Sequence, residues 1–279
     1  MSSRDEKEQV VSKGLLYQNA SSNMFSIERR LPSPDLALFV QHYWIARWDL
    51  RGRDPFTSET LPYPGINLVI ENDEARVWGV FSSKSDKVLS GQGRGCAILF
   101  RPGGFYPFYK KSIAALTDNS AGLPDVFGPR GPELINAVRA SVGDNEIIDC
   151  FERFLRAEKP VADNHIILVN KIIDTVIHDR ETTKVQQVCA QFALSERTLQ
   201  DLFSNYVGIG LKWVIMRYRL QDATQRITDG DKIDWAELAL NLGYADQAHF
   251  INDFRKVIGK VPTDYAKIER ESQVRKPPT

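Results

Sequence analysis

VCAQFALSERTLQDLFSNYVG at residues 188–208 and LALNLGYADQAHFINDFRKVIG at residues 238–259 are two copies of one pattern. Each copy has two apolar residues four positions apart, and a glycine follows five positions later. These are Leu199, Phe203 and Gly208 in the first copy, and Phe250, Phe254 and Gly259 in the second. Each copy also has a short amphipathic stretch, a turn of three to five residues and a longer amphipathic stretch. The pattern predicts two helix-turn-helix units, at about 185–206 and 235–258.

The short details of each copy agree with this prediction. Cys189 and Ala239 place a small residue where two crossing helices bring their backbones together. Ser195 and Asp246 precede the second helix of each unit, where an oxygen can accept a hydrogen bond from an unpaired backbone amide. Asp246 also places a negative charge at the positive end of the helix. Ala193 occupies the turn of the first unit, where a positive φ would cost alanine about 1 kcal/mol.

A single helix is predicted between the copies, over residues 211–228. Its apolar residues recur at steps of three and four: Trp213, Met216, Leu220, Ala223 and Ile227. A helix of this length spans roughly 25 Å. With the width of the flanking units, it is expected to hold the two recognition helices about one duplex turn, roughly 34 Å, apart.

The first half has the texture of short strands. Aromatic and β-branched runs are separated by Pro and Gly between residues 26 and 108, which predicts a small β sandwich or barrel. The glycines around Gly91 to Gly95 are interpreted as a turn. Helical spacing follows at about 132–158, and Pro160 ends it. The predicted fold is therefore α+β with two domains: a mobile tail at 1–25, a β-rich sensing domain ending in helices at 26–160, an all-α domain at 165–270 and a tail at 271–279.

From about His165 to Lys267 the chain resembles the DNA-binding region of the AraC/XylS transcription regulators. The block LALNLGYADQAHFINDFRKVIGKVPTDY has the residues that this family's signature places there: Gly243, Tyr244, Phe250, Phe254, Gly259, Pro262 and Tyr265. Arg219, Leu220 and Ala223 on the linker also fit. The resemblance implies two helix-turn-helix units joined by a long helix, and a regulator that binds promoter DNA. The chain departs from the family at Ala193, where Gly is usual, and at Asp201 and Asn252, where Arg is frequent.

The N-terminal half resembles the sensory domain of a subset of these regulators. The resemblance rests on LPYPGINLVIE, GVFSS and above all CAILFRPGGFYPFYKKSIAALTDNS, which contains the FRPGGF-like segment of that subset. It implies a regulatory domain without a defined common ligand. A small-molecule effector is expected in an enclosed, partly apolar pocket, with Arg101 or Tyr109 offering the polar contact. The residues expected to line it are Trp44, Trp78, Arg101, Phe105 and Tyr109.

The outward face of each recognition helix provides the candidate DNA contacts. Arg197 suits guanine, Gln200 and Asn252 suit adenine, and Asp201 suits a cytosine amino group or the orientation of Arg197. Ala248 and Ile251 suit thymine methyl groups. Lys212, Arg255 and Lys256 are expected on phosphates, which would fix register rather than sequence. The full predicted set is Arg197, Gln200, Asp201, Ser204, Lys212, Gln247, Ala248, Ile251, Asn252, Arg255 and Lys256.

Composition excludes some classes and leaves others open. The 279 residues carry no net charge, and from His165 onward 16 Lys and Arg face 15 Asp and Glu, so bulk charge does not identify a nucleic-acid partner. No apolar run approaches the roughly 18–20 residues of a membrane helix, and the charged start has no secretory signal. Three separated cysteines and four scattered histidines predict a reducing cytoplasm and no metal site. No cofactor or catalytic residue is expected.

Three functional interpretations follow. The leading one is a cytoplasmic bacterial transcription regulator that binds double-stranded DNA, contacts RNA polymerase if it activates, and has a sensing or dimerising N-terminal domain. For a homodimer, the helices at 132–158 are the expected surface, unless the β domain buries their apolar stripe. The second is a DNA-repair-like protein with a catalytic N-terminal half and a reactive thiol, for which Arg94 beside Cys96 is the one supporting feature. The third is a small-molecule enzyme with a decayed helix-turn-helix.

Overall fold

The computed structural model describes residue 16 and residues 24–179, 181–229 and 233–274. Most of the tail predicted at 1–25 and the end of the tail predicted at 271–279 lie outside the described residues. Leu16 is an exception, and the prediction of mobility is wrong for it. Its side chain is 2% exposed, and its amide donates to the carbonyl of Glu59 at 3.0 Å, because an apolar side chain here finds a core to enter.

The first half of the described chain folds into two antiparallel sheets. The larger has six strands in the order β1-β2-β7-β4-β5-β8, and the smaller pairs β3 with β6. The strands are β1 Ser26–Arg30, β2 Val40–Leu50, β3 Phe56–Thr60, β4 Asn67–Ile70, β5 Ala75–Trp78, β6 Ser85–Leu89, β7 Gly91–Phe100 and β8 Ser120–Gly122. The prediction of a small β-rich fold followed by helices is confirmed.

The six-stranded sheet has one face packed on helices. Alternation along β2 turns Tyr43 and Ile45 into the core and Trp44 to the opposite face. Tyr43 stacks on Phe151 with ring centroids 6.0 Å apart. Four helices follow the main strands: α1 Tyr106–Tyr109, α2 Leu123–Phe127, α3 Arg130–Ala140 and α4 Asp144–Ala157, with a 3-10 turn at Ile113–Leu116.

The apolar stripe of α3 and α4 belongs to this core. Leu134, Val138, Ile147, Phe151 and Leu155 are each at most 3% exposed and pack with the residues of the sheet. The stripe is therefore satisfied within the chain. The reason for expecting a dimer surface at 132–158 disappears, since the β domain buries the residues that a partner would have covered.

The interpretation of Gly91 to Gly95 as a turn is wrong. All five residues belong to β7 and pair with Leu50 back to Ala46 of β2. Gly93 is required for packing rather than for a turn, because a Cβ there would lie 2.2 Å from Cζ2 of Trp48. An aromatic ring on the neighbouring strand takes the space of the missing side chain.

The second half is helical. Its elements are α5 Asn164–His178, α6 Val185–Phe192, α7 Glu196–Tyr206, α8 Leu211–Thr228, α9 Trp235–Asn241, α10 Gln247–Ile258 and α11 Pro262–Val274. The predicted helix-turn-helix pairs are thus α6–α7 and α9–α10, with α8 as the linker. None of the helices in the described ranges is long and apolar enough to cross a membrane.

The linker helix α8 belongs to two separate cores. Leu211, Val214 and Ile215 pack with the first helix-turn-helix unit. Leu220, Ala223 and Ile227 pack with the second. The sequence predicted one apolar face, whereas the helix is buried on successive faces along its length.

The two predicted caps are confirmed. Ser195 Oγ accepts from the amide of Thr198 at 3.1 Å, and Asp246 Oδ1 accepts from the amide of His249 at 2.7 Å. In the turn of the first unit, Ala193 has φ 52° and ψ 44°, the left-handed conformation. Gly243, in the turn of the second unit, has φ 75°. The chain therefore places an alanine where its Cβ is strained.

Replacing Ala193 with Gly is expected to raise the free energy of unfolding by about 1 kcal/mol. The relief of the left-handed strain exceeds the added entropy of glycine in the unfolded chain. Urea unfolding of the two proteins measures the difference. Ala190→Gly, on the exposed face of α6, is the matched control and is expected to lower stability by about 1 kcal/mol. A loss of stability in Ala193→Gly would contradict the turn geometry.

His42 in β2 gives the stability a pH dependence. The imidazole is half-buried, and burial, with the nearby charge of Arg29, lowers its pKa to about 4. The unfolded chain binds this proton below about pH 6.5, so the stability contributed by the neutral ring is lost as the pH falls from there toward 4. Urea unfolding should therefore depend less on pH in His42→Gln over that window. An identical pH dependence in both proteins would contradict this.

Candidate nucleic-acid interface

The recognition helix of the first unit, α7, presents its predicted face to solvent. Arg197, Gln200 and Asp201 are exposed in its first two turns. Ser204 is half-buried, and its carbonyl accepts from the hydroxyl of Ser112 at 3.5 Å. Within the described chain no hydrogen bond joins Asp201 to Arg197. The first half of α7 is thus free to enter a groove, and its second half lies against the N-terminal domain.

The second recognition helix, α10, is arranged in the same way. Its exposed predicted contacts are Gln247, Ala248, Asn252, Arg255 and Lys256, with Ile251 half-buried among them. Lys212 is exposed at the start of α8. The structure therefore places ten of the eleven predicted residues on α7 and α10 and the eleventh beside them on the linker helix.

His249 has a structural environment rather than a metal-binding one. Its Nε2 lies 3.6 Å from Asp253 Oδ2, one helical turn away, and its ring packs edge-on against Tyr244. Both contacts hold the side chain at the flank of α10.

Contacts outside the linker backbone also join the two units. Arg219 on α8 donates to the carbonyl of Thr183, just before α6, and its guanidinium lies 5.5 Å from the ring centroid of Tyr244. Gly243 approaches the same threonine so closely that a Cβ would lie 2.8 Å from its side chain. The start of the first unit and the turn of the second therefore meet beside Arg219.

A buried arginine, Arg217, was missed by the sequence analysis. It is 2% exposed on α8, and its Nε donates to the carbonyl of Pro62 at 2.7 Å. Its guanidinium lies 4.6 Å from the ring centroid of Tyr218 and 5.8 Å from that of Tyr63. Burial lowers the pKa of this group. A buried guanidinium with carbonyl and aromatic partners fixes the linker helix on the N-terminal domain.

The five residues predicted to line a pocket do not converge. Phe105 is 1% exposed in the core of the β domain, with Tyr109 stacked on it at 6.0 Å. Arg101 donates from Nε to Asn170 of α5 at 2.7 Å, and its Nη2 lies 3.6 Å from Asp174. Phe105 and Arg101 therefore do not line one pocket, because a core and a domain interface occupy them.

Trp44 and Trp78 do come together on the outer face of the sheet. Trp44 Nε1 donates to Oδ1 of Asn67 at 3.2 Å, and Asn67 is paired across the strands with Trp78. Both indoles are half-buried.

The glycines of the FRPGGF segment serve the contacts of the chain with itself. Gly103, at φ 78°, faces Val169 of α5 at 3.5 Å and Tyr206 of α7 at 3.8 Å, measured from where a Cβ would lie. A Cβ on Gly104 would lie 2.1 Å from the carbonyl oxygen of Phe39. The close backbone approach expected for a ligand is made here by the protein itself.

One open cleft of about 510 Å³ lies elsewhere, at the end of β2 and β7. Its lining is mostly polar and includes Arg47, Trp48, Asp49, Gln92 and Arg94. Arg47 pairs with Asp144, and Arg94 donates to the carbonyl of Ser141 at 2.9 Å. Both arginines are thus engaged in holding the helices α3 and α4.

The environment of Cys96 opposes the interpretation of a reactive thiol. Cys96 is 1% exposed, and burial raises the pKa of the thiol to about 11, although Arg94 and Arg47 act in the opposite direction. A thiol that stays protonated and shielded is a poor nucleophile.

Two family models match the chain. A helix-turn-helix domain matches residues 188–268, and a domain of unknown function, DUF6597, matches residues 28–121. No curated protein matches the sequence.

Some solved structures are similar at low identity. ToxT from Vibrio cholerae is 12% identical, with a TM-score of 0.37 over 88% of this chain and 98% of that one. ToxT from strain SCE256 with a bound unsaturated fatty acid is 11% identical, with a TM-score of 0.36 over 88% and 95%. The AraC-like transcriptional activator CuxR is 13% identical, with a TM-score of 0.20 over 93% and 90%. At these TM-scores the likeness supports no inference about ligands or domain placement.

The family assignment rests on the matched domains and on the doubled helix pair. Each half of the pair has the capped recognition helix, the left-handed turn and the buried second-helix stripe that the motif requires. Residues 188–268 are thus an AraC-type helix-turn-helix domain, residues 28–121 are a DUF6597 domain, and the chain is a DNA-binding transcription regulator that contains both.

Proposed function

We propose that this regulator reads a specific operator by inserting α7 and α10 into two adjacent major-groove segments of one duplex. The observation that carries the proposal is the pair of exposed recognition-helix faces at either end of one buried linker helix. One chain then reads two segments without a second copy, provided that the helices lie about one duplex turn apart.

The exposed residues divide into two chemical roles. Arg197 is assigned to a guanine edge, Gln200 and Asn252 to adenine edges, and Ala248 with Ile251 to thymine methyl groups. Lys212, Arg255 and Lys256 are assigned to phosphates, with Ser204 and Gln247 at the margins of the interface. Asp201, exposed and acidic, is assigned to a cytosine amino group.

The N-terminal domain is proposed to receive the regulatory signal. Trp44 and Trp78, joined through Asn67 on the outer sheet face, are the best remaining candidates for contact with a small-molecule effector. An effector acts only through its different affinity for two arrangements of the domains. We further propose that the protein works in the cytoplasm without enzymatic activity, that it contacts RNA polymerase if it activates, and that any homodimer uses a surface other than the buried stripe of α3 and α4.

The direct test is selection of bound sequences from random duplex DNA with the full chain. The proposal predicts enrichment of one sequence with two information-rich segments. Recovery of sequences with no common element would overturn it.

Arg197→Ala and Gln200→Ala are each expected to weaken binding to the selected site by about 1–3 kcal/mol and to relax the preference at one or two base pairs. Lys256→Ala is the matched control, since a lost phosphate contact weakens binding to every sequence alike. Competition binding against single-base variants of the site separates these outcomes. An unchanged base preference in both α7 variants would show that another face reads the DNA.

The salt dependence of binding should be shallow. About three basic side chains are assigned to phosphates, so the logarithm of the association constant should fall with the logarithm of salt concentration with a slope of about −3. Titrations between low and physiological salt give the slope. A much steeper slope, such as −8, would mean that basic residues outside the assigned set bind the backbone.

A further inference from the structure

The N-terminal domain contacts both helix-turn-helix units at the same time. On the first unit, Tyr106 stacks on Tyr206, the last residue of α7, with centroids 4.0 Å apart. Thr117 donates through its hydroxyl to the carbonyl of Gly208, two residues farther along. On the second unit, the amide of Lys84 donates to the carbonyl of Val257 in the last turn of α10 at 2.9 Å.

The same domain also holds the linker helix between the units. Trp213 Nε1 donates to the carbonyl of Ser82 at 3.0 Å, and Arg217 Nε donates to that of Pro62 at 2.7 Å. Leu61, 1% exposed, packs in the core of the second unit with Leu220 and Phe254. The segments 61–63 and 82–84 of the β domain thus reach from the middle of α8 to the end of α10.

All these contacts avoid the residues assigned to base reading. The domain contacts the C-terminal ends of α7 and α10, whereas Arg197, Gln200, Gln247 and Ala248 lie exposed in the first turns. Docking of the domain therefore leaves the reading faces open. It constrains where the far ends of the two helices lie relative to one another.

From these contacts we propose that the N-terminal domain is a brace that sets the spacing and orientation of the two recognition helices. It rests on the proposed two-segment reading of DNA. With the brace docked, binding of the first segment presents the second helix to its own segment at a high effective concentration. When the brace is released, that advantage falls, while the affinity of each unit for its own segment is retained. A signal that alters docking would then change operator affinity without touching the DNA-contacting residues.

The competing explanation is that the helical half fixes itself. Arg219 and Gly243 already join the two units beside Thr183, and α8 is one continuous helix. The experiment must therefore release the N-terminal domain and leave the helical half unchanged.

The release variant carries three substitutions, all in the N-terminal domain: Tyr63→Ala, Lys84→Pro and Tyr106→Ala. They remove one ring beside Arg217, the amide donor to Val257 and the stack on Tyr206. Lys84→Ala is the matched control, because it loses the same side chain and keeps the amide. Hydrogen exchange of α8 reports release, since residues 211–218 lose their cover.

The first readout is the distance between the recognition helices without DNA. Spin labels are placed at Asn205→Cys and Asn252→Cys, both exposed, in a background with Cys150→Ser and Cys189→Ala. Pulsed dipolar spectroscopy should give one narrow distance distribution in the labelled parent and in the control, and a broadened one in the release variant. A narrow distribution in a variant whose α8 exchanges faster would overturn the brace, as would unchanged exchange of α8.

The second readout is affinity for the selected site, intact and with the segment read by α10 scrambled. The release variant should lose about tenfold or more on the intact site and no more than about twofold on the scrambled one. Equal losses on both DNAs would overturn the brace. If the parent protein selects no sequence, the proposed function fails, and the spin-label distances still decide whether the domain is a brace.

Discussion

The burial of one helix, α8, on successive faces is the constraint on which the rest of the structure depends. Its first turns complete the core of the first helix-turn-helix unit, and its last turns complete the core of the second. Arg217, between these two regions, is buried against the N-terminal domain. A helix with three partners has little freedom to rotate or shift, because any movement exposes apolar area at about 25 cal/mol per Å². The positions of both recognition helices follow from it.

The helical half could be predicted closely from the sequence because its signals are local. The second-helix stripes, the small residues at the helix crossings and the caps at Ser195 and Asp246 all act within a few residues of one another. The left-handed turn at Ala193 could be suspected only from the resemblance, since nothing in the residue itself indicates a positive φ. Local chemistry thus determines each unit, and its repetition reveals the pair.

The contacts between the two halves could not be predicted in the same way. Arg217 stands in the run MRYRL with Arg219, and nothing in the spacing distinguishes the arginine that binds Pro62 from the one that binds Thr183. The glycines at 91 to 95 were interpreted as a turn because their strand partner, with Trp48, is distant in sequence. The aromatic and glycine-rich FRPGGF segment suits a ligand pocket or a domain interface equally well by composition. Only the position of α5 and α7 against it distinguishes the two.

The central claim is that one chain reads two neighbouring major-groove segments of the same duplex, and hydroxyl-radical footprinting of the full chain on its selected site tests it most directly. The account predicts two protected patches on one face of the DNA, centred about 10–11 base pairs apart. Exchanging the two segments should abolish the footprint, because α7 and α10 have different reading residues. A single protected patch, or two patches whose spacing does not correspond to about one helical turn, would contradict the account.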